Sequence, residues 1–176
     1  MTPWIAPAAR PTAWGNARAR SLVGLVLIML GVAATVFTST YSMFFLLIGP
    51  SLHLLGWLVM PGALWRRLVV LLPCLLAGLT LLGGPDFAGA FAVLLAGWLL
   101  VRHRPLPSYL VLVLPIGVSF LIKAFLHGYA QNWVGDLVGT ATVIASAWLA
   151  WWIAGRLDVK AGQVAEITRQ IPSRSE

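Results

Sequence analysis

The sequence predicts an all-α fold, a polytopic integral membrane bundle of six transmembrane helices with both termini cytoplasmic. Three observations carry that expectation. Hydrophobic residues make up 60% of the chain and charged residues 10%, with a mean hydropathy of +0.89, more apolar surface than one soluble core can hide. The apolar residues fall into runs separated by short turns rich in proline, glycine or arginine. The lysines and arginines also collect in alternate turns, as expected of loops kept on the cytoplasmic side of a plasma membrane.

Taken in order, residues 1–20 carry Pro3, Pro7 and Pro11 among alanines and end in Arg18 and Arg20, the composition of a cytoplasmic tail with no fold of its own. Residues 21–154 form the membrane domain, with spans expected at about 21–38, 43–60, 63–82, 87–101, 109–126 and 137–154. The first run is longer than the roughly 7 to 15 residues of a signal-peptide core and lacks an A-x-A site after it, so it reads as a retained span. Pro61-Gly62 closes the second run and Arg66-Arg67 snorkel at the start of the third. Gly83-Gly84-Pro85-Asp86 and Arg102-His103-Arg104-Pro105 bracket the fourth. That run rises only about 22 Å, short of a hydrocarbon core of about 30 Å; thinned bilayer or a re-entrant hairpin of the third and fourth runs could resolve this, but a hairpin would bury Asp86 at membrane depth, so six full spans are expected. Residues 155–176 read as a cytoplasmic tail in which Leu157, Ala161, Val164, Ile167 and Ile171 form an apolar stripe able to lie on the membrane surface.

The formal charge of +7 does not point to nucleic acid, because the twelve basic residues are scattered and form no binding stripe. Apart from Lys123 they all fall on the expected cytoplasmic side. Trp57, Trp65, Trp98, Trp148, Trp151 and Trp152 are expected at the inner interface, and Tyr41, Tyr129 and Trp133 at the outer one. The lone Cys74 excludes an internal disulfide and a cysteine-based zinc site, and no metal or cofactor is expected. The bilayer is the expected partner. Small residues at Ala88, Ala92 and Ala96, at Gly135 and Gly139, and at Thr142, Ser146, Ala150 and Ala154 predict close helix packing inside the chain; protein partners or a homo-oligomer are the other use of such faces.

Two features point toward function. The second and fifth spans each carry proline and glycine near the middle, at Gly49-Pro50 and at Pro115 with Gly117, and interrupted helices at matching positions of two halves mark solute sites in transporters. The stretch from Ser119 to Thr140 also gathers polar groups in an apolar chain. Ser51, His53, Ser119, Lys123, His127 and Asp136 are therefore the candidate ligand-binding residues, with a Lys123 to Asp136 ion pair expected across the outer loop.

Catalytic patterns are missing: the sequence holds no HExxH, GxSxG, Walker lysine loop or GxGxxG. RHRPLPS and the later HGYAQNWVGDLVG resemble parts of lipid phosphate phosphatases, but the expected topology places the two on opposite sides of the membrane. In length and span number the chain is similar to the substrate-binding membrane subunits of energy-coupling-factor transporters. The expectation is a non-catalytic membrane protein that binds or passes a small polar solute or ion. An accessory subunit of a larger complex and an outward-facing lipid or cell-wall enzyme using His127 and Asp136 are the alternatives.

Overall fold

Apolar side chains cover the outside of this molecule, while its few polar ones are drawn to the middle and the ends. The computed structural model describes residues 16–126 and 131–170, and the side chains of Asn132 and of 157–170 lie outside that description. Six α-helices account for most of it: α1 (Ala17–Val36), α2 (Phe45–Val59), α3 (Leu64–Thr80), α4 (Ala90–Val101), α5 (Val113–Phe125) and α6 (Asn132–Gln170). No strand occurs among the described residues. Four stretches are long and apolar enough to cross a membrane: Ala17–Val36, Leu64–Gly83, Leu106–Phe125 and Trp133–Arg156. Phe45–Val59 and Pro85–Val101 are shorter. Leu22, Leu47, Leu72, Leu121 and Ile144 are among the large apolar side chains that face outward, an arrangement that lipid stabilises and water would not.

α1 begins where Asn16 accepts a hydrogen bond from Arg18 N at 2.9 Å, a side-chain cap for the first turn. It buries Gly24, Ile28, Gly31 and Thr35, and α2 answers with Gly49, His53, Gly56 and Met60. Both sets step by four, three and four residues, the spacing of one helix face along an antiparallel seam. Backbone meets backbone along it. A Cβ on Gly24 would lie 2.9 Å from Gly56 O, and one on Gly31 would lie 2.7 Å from Gly49 O, so only glycine fits.

α4 is the centre. Of its 12 residues only Val93 is exposed, because α3 covers one side while α5, α6 and the 3-10 stretch Leu106–Leu112 cover others. Phe91, Leu94 and Val101 join Trp57, Cys74, Ala77 and Ile122 in one cluster, and Leu95 and Leu99 join Val111 and Ala150 in a second. Protein therefore surrounds most of the short fourth run. Gly84 at φ 93 makes the turn into it. At its far end Arg104 N donates to Leu99 O at 3.0 Å while His103 takes φ 55, a helix stop normally given to glycine.

The prolines behave differently from expectation. Pro50 lies inside an unbroken α2, and Pro115 sits in the first turn of α5, where its missing N–H is not needed. The fifth run is a composite, 3-10 through Leu112 and α-helical from Val113. α6 is continuous for 39 residues, about 58 Å at about 1.5 Å per residue, so its backbone runs on helically from the sixth apolar run into the stretch that the sequence separates as a tail.

The small residues are used where the sequence puts them. Ala88 and Ala92 are buried in the α3–α4 region, and Gly135, Gly139, Ser146, Ala150 and Ala154 form the buried face of α6. Trp65, Trp148, Trp151, Trp152, Trp133 and Tyr41 are exposed. Trp57 is not: it is 1% exposed, because its indole N–H is spent on a buried partner and its ring fills the bundle centre.

Candidate functional site

His53 is the most deeply buried ionisable side chain that the sequence singles out, at 2% exposure. Its place follows from the glycine seam. With Gly31 opposite, whose absent Cβ would meet His53 N at 2.5 Å, the α2 backbone presses against α1 and turns the imidazole toward α3. There Gly78 leaves room: a Cβ on it would lie 3.7 Å from His53 Cε1 and 3.8 Å from Nδ1.

One turn along α2, Trp57 Nε1 donates to His53 Nε2 at 3.0 Å, with the rings edge to face at 6.2 Å. Because Nε2 accepts, the neutral imidazole carries its proton on Nδ1. That Nδ1 is buried beside the backbone of Ile28 and Cys74 and makes no hydrogen bond of normal geometry, and a buried donor left wholly unpaired costs about 1–3 kcal/mol. The Trp57 ring continues the line to α4, where a Cβ on Gly97 would lie 3.2 Å from its Cη2. Cys74 packs on the same glycine and reaches Val93 O at 3.8 Å. A histidine, a tryptophan and a thiol from two helices thus meet against glycines of α1, α3 and α4. Chemically this is one oriented N–H donor in an apolar setting. Among the described residues no group of three or more His, Cys, Asp or Glu could hold a metal.

The other candidates lie elsewhere. Ser51 is exposed and donates to Leu47 O at 2.8 Å. Ser119, beside Gly89, donates to Ile116 O at 2.7 Å. Lys123 is exposed on α5, and Asp136 is half-buried at the head of α6 with Oδ2 lacking a hydrogen-bond partner. His127 lies outside the described residues. No hydrogen bond or ion pair joins any two of the described candidates, so the expected Lys123 to Asp136 pair is not formed: Lys123 projects from the exposed side of α5, whereas Ile122 beside it packs inward against Gly135. Nor do the second and fifth runs share a polar centre, since α2 packs on α1 and α3 while α5 packs on α4, α6 and the 3-10 stretches.

Sequence reasoning placed Trp57 at the inner interface rather than beside His53, and of the α1–α2 glycines it used only Gly49, for a helix break. Both leave readable signals: His53 and Trp57 stand four apart, and Gly24/Gly31 and Gly49/Gly56 are each seven apart within apolar runs. Fold and site together define a helical chain with several apolar helices of membrane-crossing length and a polar centre enclosed by protein. Set against family models, curated proteins and solved structures, the chain finds no match.

Proposed function

We propose that this is a six-span plasma-membrane protein, with both termini cytoplasmic, that binds or passes a small polar solute or ion without catalysing a reaction. The observation that carries the reading is the buried imidazole of His53, held in orientation by Trp57 at the centre of four helices, whose Nδ1–H makes no hydrogen bond of normal geometry. A buried donor without a partner is costly and uncommon in folded proteins, and intramembrane ionisable groups are characteristic of solute and ion pathways. The sidedness is supported by Arg20, Arg66, Arg67 and Arg102 gathering at one end of the bundle while Lys123 stands at the other.

The test is flux into vesicles holding the purified protein, with protons, alkali cations and small zwitterions offered in turn. His53→Ala should abolish a flux that the wild type supports, with Lys123→Ala reducing it. If wild type and both variants, all folded, give identical traces for every species offered, the reading fails. A second reading, an accessory subunit of a larger membrane complex, is favoured by the failure of Ser51, Ser119, Lys123 and His53 to converge. It predicts co-extraction with protein partners from native membranes that survives these same substitutions.

A further inference from the structure

One end of the bundle, where α1 and α3 begin and α2 and α4 finish, carries a closed circuit of arginines. Arg20 Nε donates to Val59 O at 3.2 Å, and Arg67 Nη1 donates to Leu58 O, so two guanidiniums take consecutive carbonyls at the end of α2. Arg66, next to Arg67 in the chain, reaches the other way and donates to Leu100 O at 3.1 Å, at the end of α4. Arg102, two residues beyond Leu100, donates to Ser21 Oγ at 2.9 Å, and Ser21 follows Arg20. Each of the four cations is therefore neighbour to the next.

Helix ends explain why the arginines are tolerated but not how their charge is balanced. The C-termini of α2 and α4 supply about half a negative charge each, and the N-termini of α1 and α3 at the same end return about as much positive. The unit charges of Arg66, Arg67 and Arg102 remain against a dipole sum near zero. Arg66, Arg67 and Arg102 have no ion pair among the described residues, and Arg67 Nε is buried with no hydrogen-bond partner. Asp86 and Asp136 are at the opposite end, where Pro85 packs against Gly135.

We propose that this circuit binds the phosphodiester headgroup of an anionic phospholipid. Guanidinium forks match phosphate oxygens in geometry and charge. The source is a lipid rather than a soluble anion because the first turns of α3 flank Arg66 and Arg67 with outward-facing Leu64, Trp65 and Leu68, which are 59%, 59% and 54% exposed. An acyl chain lies naturally along that face, and a tryptophan belongs at headgroup depth. The inference is independent of the solute reading and needs only the membrane location.

The experiment places the full-length protein in bilayer discs of phosphatidylcholine alone or of phosphatidylcholine with phosphatidylglycerol. It records the thermal unfolding midpoint and the lipid retained on gentle extraction by mass spectrometry. Wild type should retain phosphatidylglycerol over phosphatidylcholine by about tenfold or more, the worth of one charge-assisted hydrogen bond of about 1.5 kcal/mol. It should also unfold at a higher temperature in the mixed bilayer. Arg67→Gln with Arg102→Gln should bring retention close to parity, whereas Arg156→Gln, whose guanidinium stacks on Trp152 at 4.7 Å and takes no part in the circuit's hydrogen bonds, should leave it unchanged. Equal retention of both lipids by the wild type overturns the proposal, and that comparison stands even if the double variant does not fold. A pyrophosphate-induced rise in the unfolding midpoint in pure phosphatidylcholine, matching that of phosphatidylglycerol, overturns the lipid assignment. Equal loss in Arg156→Gln overturns the site in favour of general surface charge.

Discussion

The α1–α2 and α5–α6 hairpins are built from similar apolar sequence but held by different means. In the first, glycines at seven-residue spacing let backbone rest on backbone, and a Cβ on Gly56 would lie 2.7 Å from Gly24 O. In the second, side chains do the packing: a Cβ on Gly135 would sit 3.4 Å from Ile122 Cγ2, ordinary contact, and Gly117 and Gly155 have nothing within 4 Å. Side chains can shift by an ångström to relieve a clash, and helix backbones cannot without moving the whole element. The seam between α1 and α2 therefore has one register, and His53, fixed within it, has one orientation.

The largest expected effect is at that seam. Gly31→Leu should cost about 3 kcal/mol or more, the upper range for overpacking a core, read as a loss of folded protein on heating in detergent. Gly117→Leu, the same change in the looser hairpin, should leave the midpoint almost unmoved. If the two variants lose equally, the contrast between the hairpins is wrong.

Next comes the His53 hydrogen bond. Trp57→Phe keeps most of the ring but strands Nε2, at a cost of about 1–3 kcal/mol for a buried group left unpaired. A fluorescence or calorimetric melt within error of wild type would mean that the imidazole finds another donor. On the α6 side the hydroxyls divide. Ser108 Oγ donates to Ala150 O at 3.3 Å, whereas Ser146 Oγ is buried with no partner. Ser108→Ala should cost about 0.6 kcal/mol, typical of a bond in this environment, and Ser146→Ala should be neutral or slightly stabilising. The reverse order in paired melts would contradict the assigned bond. The smallest effect is at the end of α4, where His103→Gly relieves a left-handed backbone but gives up the side chain's own interaction, so the midpoint should move by less than about 1 kcal/mol.

Much of the helical layout was legible in the residues themselves. The turns at Pro61-Gly62, Gly83-Gly84-Pro85 and Arg102 to Pro105 are local chemistry, and they separate the helices as composition predicts. The buried face of α6 was readable too, because a stripe of small residues has a single periodicity to obey. The central position of α4 was not, since an all-apolar run looks alike whether lipid or protein surrounds it. The site was legible only in part. His53 stands out as a polar group in an apolar run, but its partner is an i+4 tryptophan that reads equally well as an interface anchor. Pro50 and Pro115 mark no matching break, because Pro50 lies inside a continuous α2 and Pro115 falls in the first turn of α5, where its missing N–H is not needed.

The enclosure of α4 bears on how the chain is made. A segment of 12 residues, about 18 Å long, offers lipid little more than Val93, so it gains little by leaving the insertion machinery alone. Were the chain inserted helix by helix, α3 before it and the composite fifth run and α6 after it would supply the packing that lipid does not. The shortest helix would thereby tie the assembly of the two hairpins together.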